Sequence, residues 1–538
     1  MWRLGRTIKV KPLAHITQRA YATRASPPPS RAFTLLTLTT TAAIAGSGGY
    51  WYASKSSPST SSSRPLVSRS VPSKETIRRA FHELQKVLPP EHVTVDEDIL
   101  QARGYSDNSY HNEGAPNIVV YPRSTEEVAA IIKVANALGM PVIAFSGGTS
   151  LEGHFAAPQG GICLSFTEHM NNIVAFHPED MDIVVQPGVN WEHLNATLKD
   201  RKLFFPLDPG PGACIGGMVG TGCSGTNAVR YGTMKDWVIN LTVVLPNGEI
   251  AKTRQRPRKS SAGYDLTRLY VGSEGTLGIV TEATLKLAVM PEEETEKVAV
   301  CHFPTIRHAA AVVPELIRAG VQIGAVELLD DLMMKAVCMA NPKLGYESKP
   351  TLFFKFAGSK PQIEHEIKVV SAITKAHEGG QFKYAKDEKE KEELWEGRKI
   401  ALWSSTLLKE NASVWTTDVV VPVSRLPDII DETKLALKSS SLPCPIVGHV
   451  GDGNFHVFIL FDKSKPAEYE EAKRLNKDLV ARAIKMEGSI SGEHGVGYGK
   501  KDYMRAELGD GAVDLMKTIK SAIDPNNIMN PGKVLPDQ

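Results

Sequence analysis

Short apolar runs alternate with stretches in which apolar residues recur every three or four positions, so the chain reads as strands interleaved with amphipathic helices. Residues 118–121 form an apolar strand that stops at Pro122-Arg123-Ser124. Ser124 and Glu127 are spaced as a capping box, Val128, Ile131, Ile132, Ala135 and Leu138 follow at helical spacing, and Gly139 ends the helix. Residues 141–145 are a second strand, which makes the segment a β-α-β unit. Further on, residues 183–186 read as a strand and Trp191–Leu198 as an amphipathic helix. Residues 237–245 and 249–251 are predicted to pair as a hairpin around Pro246-Asn247-Gly248. The basic stretch 252–259 reads as a solvated loop. Another strand runs through Leu287, and Pro291 with the acidic run 292–296 marks a domain boundary.

Two glycine-rich stretches interrupt this pattern. Residues 206–232, PLDPGPGACIGGMVGTGCSGTNAVRYG, hold eight glycines and three prolines among 27 residues. A helix or strand interior would lose about 0.5–1 kcal/mol per glycine relative to alanine. The run is therefore predicted to be backbone that bends sharply and approaches a flat or phosphorylated ligand. A flexible linker is the competing reading, but Cys214, Ile215, Met218, Val219 and Cys223 are buried-type residues that linkers avoid. The second stretch, Ser146-Gly147-Gly148-Thr149-Ser150, follows the strand 141–145, and backbone N–H groups in such a turn can hold a pyrophosphate. It is neither G-x-G-x-x-G opening a helix nor a Walker loop, which excludes the nicotinamide and nucleoside-triphosphate readings.

Composition adds little until charge is followed along the chain. The 538 residues, 42% hydrophobic and 23% charged, suffice for two or more domains. A net charge of +2 implies no nucleic-acid partner. The six cysteines (163, 214, 223, 301, 338 and 444) lack any C-x-x-C pair, which argues against iron–sulfur clusters, structural zinc and a disulfide framework. Residues 1–74, however, carry eleven Lys and Arg and no acid. Residues 1–31 are predicted to be a mitochondrial presequence. Residues 32–54, uncharged and ending near Tyr50, Trp51 and Tyr52, are a candidate membrane anchor. Residues 55–75 read as a disordered linker.

A second constellation lies far downstream, in Gly448-His-Val-Gly-Asp-Gly-Asn-Phe-His456. A two-residue turn at Asp452-Gly453 would pair 451 with 454, 450 with 455 and 449 with 456. His449 and His456 would then be cross-strand neighbours on one face, roughly 5 Å apart at Cβ. Glu493 and His494 follow, flanked by Gly492 and Gly495. Adjacent residues of an extended chain diverge, so one can ligate while the other faces a substrate. Two imidazoles, a carboxylate and an open position suit a divalent metal, Zn²⁺ or Mn²⁺. Satisfied core histidines are the competing reading for any one of them. Arg398 is a candidate clamp for a substrate carboxylate, with a surface ion pair in its charged helix as the alternative.

The motifs PRSTEEV, SGGTSLEG, the glycine stretch above, VGSEGTLGIVTEATL, GHVGDGNFH, SGEHGVG and NPGKV together resemble those of flavin-binding oxidoreductases of the vanillyl-alcohol oxidase type, from about residue 90 onward. The resemblance implies an α+β fold, with a two-lobed FAD-binding domain over residues 76–291. It implies an α+β substrate-cap domain with antiparallel sheet over 292–525, and a C-terminal segment, 526–538, that returns to the FAD. It implies FAD seated on Ser146, Gly147, Gly148, Thr149, Ser150, Pro209, Gly216, Gly217, Gly222, Cys223, Ser224, Gly225, Asn227, Gly278, Ile279 and Asn530. Some relatives attach FAD through a histidine directly after the Gly-Gly turn. Thr149 stands there, so FAD is expected to be non-covalent and His154 to be structural. The resemblance also implies metal on His449, His456 and Glu493, with His494 as base, and it favours the clamp for Arg398.

The implied reaction is oxidation of a small 2-hydroxy acid, D-lactate, to pyruvate, with cytochrome c accepting the electrons, in mitochondria at the inner membrane. D-2-hydroxyglutarate is the alternative substrate. Relatives acting on it carry Lys and Asn at the positions of Thr416 and Phe458, so the apolar wall here favours a small monocarboxylate. A non-catalytic flavin or metal protein is the remaining alternative, against which the full acid–base and metal set speaks.

Overall fold

A computed structural model describes residues 67, 70–106, 109–111, 114–291 and 296–537. The expected presequence and candidate anchor lie outside the described residues, as does most of the expected linker. Among the described residues no helix is long and apolar enough to cross a membrane. The first helix, Lys74–Val87, starts within the expected linker, capped by the Ser73 side chain.

Two larger sheets and a two-stranded pair, Leu203–Phe204 with Ala288–Val289, share the first half. In the smaller of the two larger sheets, strands run in the order Val93–Thr94, Ile118–Val120, Ile162–Ser165, Val142–Phe145. The predicted β-α-β unit is present with its two strands separated: Ile162–Ser165 inserts between Ile118–Val120 and Val142–Phe145, parallel to both. The crossover helix, Thr125–Leu138, buries Val128, Ile131, Ile132 and Ala135, the face its spacing predicts. Ser124 caps it by accepting from the Glu127 N–H, and Gly139 ends it at φ 65°. The reciprocal bond of a capping box goes elsewhere, because the Glu127 carboxylate reaches the Arg123 N–H at 2.8 Å. The second sheet orders Ile173–His177, Asp182–Val185, Ile279–Lys286, Val238–Val244 and Ile250–Lys252, all antiparallel. Its last pair is the predicted hairpin, with Val244 opposite Ile250.

The eight-stranded sheet of the second half carries helices on both faces. Its strand Asn454–Phe461, which pairs with three others, is buried throughout. Phe455, Val457, Ile459 and Phe461 enter one core, and Phe458 enters the opposite one with Val447, Met334 and Trp395. By the two-residue period His456 therefore points to the Phe458 side.

The C-terminal segment closes back on the first sheet. Val142 exchanges backbone hydrogen bonds with Ile528 and Asn530, both at 2.8 Å, beside the strand that leads into Ser146. Buried Lys520 donates to Asp524 and to the carbonyls of Thr276 and Met529, and Asp524 also accepts from the Ile528 and Met529 N–H groups. Removing one partner of such a buried pair strands the other charge. Asp524→Ala is expected to destabilise the fold by about 3–5 kcal/mol, read as a lowered midpoint in denaturant titration.

Candidate active site

The two glycine stretches, some sixty residues apart, lie against each other. A Cβ on Gly147 would stand 2.5 Å from the Gly212 carbonyl oxygen, so only glycine permits this approach. Around that contact the backbone borders open space. A Cβ on Gly210 or Gly217 would meet nothing within 4 Å, and on Gly222 or Gly275 nothing nearer than 3.6 Å. The N–H groups of Gly147, Gly148, Thr149 and Ser150 have no partner among the described residues. Open glycine backbone beside unpaired donors suits a ligand that combines a flat ring with an anionic pyrophosphate, as FAD does.

Other residues expected at the FAD shape this seat from behind. A Cβ on Gly216 would strike Pro187, on Gly225 Asp208, and on Gly278 Val243. Asn227 closes its own loop through Asp208 and the Pro206 carbonyl. Cys223 is buried and burial pushes its thiol far up, Ile279 begins a buried strand, and Pro209 is half-buried beside Asp208. Asn530 donates to the carbonyls of His154 and Glu274. His154 lies 3.1 Å from buried Glu274.

The histidine constellation converges by another route than the predicted hairpin. Val447, not His449, stands opposite His456, because the strand ends at Gly448. Residues Val450–Asp452 form a 3-10 turn that closes on Gly453 at φ 86°. A five-residue connection thus replaces the two-residue turn, and His449 swings off the strand end. The two rings still meet edge to face at 5.5 Å between centroids.

Each imidazole is pinned through Nδ1. His449 Nδ1 lies 3.0 Å from Glu327, and His456 Nδ1 2.9 Å from the Thr417 carbonyl. Their Nε2 atoms both face Glu493 Oε1, at 3.0 and 3.4 Å. The other Glu493 oxygen accepts from Ser224 Oγ at 2.8 Å, so a residue expected at the FAD joins the glycine stretch to this cluster. Pinning Nδ1 leaves Nε2 as the ligating atom, the usual arrangement around a bound cation. Burial disfavours a charged His449, but Glu327 and Glu493 outweigh it and hold the imidazole well above its ordinary value. Burial likewise opposes the Glu493 charge, and His449 and His456 overcome it, holding the carboxyl well below the usual range. The donor set fits one divalent cation.

Asp418, His456 and His494 form a second group of potential ligands. Asp418 is already committed: it accepts from the N–H groups of Gly492, Glu493 and His494, from Ser491 and Asn454, and from Lys500. His494 stacks on His456 at 4.8 Å with 14° between planes. Burial pushes its pKa down to about 4, so the ring is neutral near pH 7. Arg398 is neither free nor at the surface. Its Nε donates to buried Glu327 at 2.6 Å, and Nη2 lies 3.4 Å from His449 Nε2.

Glu327, in an apolar strand, and Asp418, between two short strands, had no signal in the sequence beyond being acids in apolar runs. Since Glu327 fixes both His449 and Arg398, Glu327→Gln is expected to weaken cation binding about 10–100-fold, the usual cost of losing such a partner. Equilibrium dialysis against the cation checks this.

Residues 292–534 match the model described as the C-terminal domain of FAD-linked oxidases, and residues 116–254 match that of an FAD-binding domain. The solved 4-ethylphenol oxidase from Gulosibacter chungangensis superposes with TM-score 0.73 at 20% identity, covering 86% of this chain and 98% of that one. These likenesses define the class as FAD-linked oxidases, with the vanillyl-alcohol oxidase fold that the motifs led us to expect. The chain is 47% identical to D-lactate dehydrogenase (cytochrome), mitochondrial, of Arabidopsis thaliana, over 86% of this chain and 81% of that protein. It is 48% identical to D-lactate dehydrogenase (cytochrome) 1 of Saccharomyces cerevisiae, over 85% and 80%. The chain belongs to this family of FAD-linked D-lactate dehydrogenases.

Proposed function

We propose that this chain oxidises D-lactate to pyruvate with non-covalent FAD and one divalent cation, Zn²⁺ or Mn²⁺, and passes the electrons to cytochrome c. The observation that carries the reading is the convergence of His449 Nε2 and His456 Nε2 on Glu493, whose other oxygen is held by Ser224 of the glycine stretch.

Each chain group has a task that its surroundings suit. His449, His456 and Glu493 would hold the cation. Arg398, fixed by Glu327 through Nε, keeps Nη1 available for the substrate carboxylate. Neutral His494 takes the hydroxyl proton at Nε2, and Asp418, 3.8 Å from Nδ1, then steadies the imidazolium. The cation supplies a Lewis acid that lowers the pKa of the substrate hydroxyl. FAD supplies a two-electron acceptor that can release electrons singly, which suits a one-electron partner.

Thr416 and Phe458 are buried cross-strand partners on the side of the sheet that His456 faces. That wall favours a small monocarboxylate over D-2-hydroxyglutarate. Residues 76–291 would form the FAD-binding domain and 292–525 the cap. The acid-free N-terminus and the mitochondrial relatives support a mitochondrial location, with residues 32–54 as a candidate inner-membrane anchor.

The test is anaerobic bleaching of the bound flavin by a panel of D- and L-2-hydroxy acids. D-lactate is expected to bleach it fastest. No bleaching by any member would contradict the assignment, and faster reduction by D-2-hydroxyglutarate would replace the substrate.

A further inference from the structure

The loop that carries Glu493 and His494 is gripped by two buried carboxylates from different parts of the fold. Asp418, beside the large sheet, accepts the N–H groups of Gly492, Glu493 and His494 at 3.0, 3.1 and 2.9 Å. Glu274, in the turn of VGSEGTLG, accepts those of Val496 and Gly497, both at 2.7 Å, one on each oxygen. Between the two grips stands Gly495, at φ 79°. A Cβ there would lie 2.7 Å from Glu274 Oε1 and 2.8 Å from His154 Nε2.

The Glu274 turn is itself tied to the glycine stretch. The Glu274 N–H donates to the Gly220 carbonyl, and Gly272 N–H to that of Val219, both at 2.9 Å. Asn530 from the C-terminal segment donates to the Glu274 carbonyl at 2.8 Å. Glu274 also has φ 54°, a conformation that costs a non-glycine residue energy and persists only where the surroundings impose it. Burial opposes its charge, but His154 and the two N–H donors outweigh this and hold the carboxyl below the usual range.

We propose that Glu274 is a positioning residue for the reaction. By gripping residues 496 and 497 from the turn that borders the flavin seat, it sets where Glu493 and His494 stand relative to the flavin. The inference rests on the roles proposed for those two residues. A bidentate carboxylate acceptor is what the grip needs. An amide of the same length keeps one acceptor and turns its NH2 toward the second N–H, so one end of the grip is lost. A displacement of about 1 Å in such a site can cost 10²-fold in rate.

The test uses the full-length FAD-loaded chain and its variants Glu274→Gln and Gly495→Ala, the latter pushing a methyl group against the Glu274 carboxylate. Glu274→Gln is expected to lower kcat for D-lactate about 10–100-fold with KM within about twofold of wild type. Flavin content should be unchanged, and amide hydrogen exchange should rise at 492–497 with other segments unaltered. Gly495→Ala should give the same kcat-selective loss, and it decides the matter if Glu274→Gln does not fold. A wild-type kcat and wild-type loop protection in either folded variant overturns the inference. So does activity that falls only in proportion to lost flavin, which would make Glu274 a scaffold residue. Inactivity of the wild-type chain toward every 2-hydroxy acid contradicts the proposed function instead, and the exchange measurement still reads the grip.

Discussion

Replacing His494 by alanine is expected to lower the rate of flavin reduction by D-lactate about 10²–10⁴-fold, the usual contribution of a positioned acid–base group. FAD content and the unfolding midpoint should stay near wild type, because the ring makes no hydrogen bond among the described residues. Its Nδ1 has no partner, and Nε2 is 3.9 Å from the Glu493 carboxylate. The two neighbouring imidazoles cannot take over. His449 has its Nδ1 committed to Glu327 and His456 its Nδ1 to the Thr417 carbonyl, and the Nε2 of each would hold the cation. Only His494 combines a neutral ring with a free nitrogen in this cluster. Anaerobic stopped-flow absorbance at the flavin band checks the rate. A variant within threefold of wild type would remove His494 from the mechanism.

Glu493→Gln is expected to abolish stoichiometric cation binding and to slow flavin reduction at least as severely. The carboxylate is the meeting point of both Nε2 atoms and of Ser224. An amide keeps its size but not its charge, so a divalent ion would face two neutral imidazoles in a buried site. Losing a partner one step removed from a metal costs about 10–100-fold, and losing a ligand should exceed that. Metal analysis after dialysis, alongside flavin content, separates loss of the cation from loss of the fold. A variant that keeps one equivalent of cation would place the site elsewhere.

Much of this site was legible because it is written in local runs. The glycine stretches could be read from composition alone, since backbone that needs close approach excludes Cβ atoms over many consecutive positions. The meeting of His449 and His456 was legible too, though by a route the structure corrects. Pairing counted from Asp452-Gly453 assumed the tightest turn, whereas Gly453 in a left-handed conformation lets a 3-10 turn form and ends the ladder at Gly448. What could not be read are single carboxylates that act across the fold. Glu327 meets His449 from 122 positions away, and Glu274 meets Val496 from 222. No neighbour in sequence marks Glu327, and the motif that holds Glu274 does not say what it meets; only the packing of the fold brings the two to their partners. Arg398 shows the same limit. Its helix suggested either a clamp or a surface pair, and the structure pairs it internally with Glu327, which no helix pattern encodes.

The most direct measurement is anaerobic reduction of the FAD-loaded chain by D-lactate after chelator treatment and again after one equivalent of Zn²⁺ or Mn²⁺ is returned. The expected result is that the stripped chain keeps its flavin but bleaches at least a hundredfold more slowly, with the rate restored at one equivalent. Bleaching at the untreated rate in a chain shown to be metal-free would contradict a cation held by His449, His456 and Glu493.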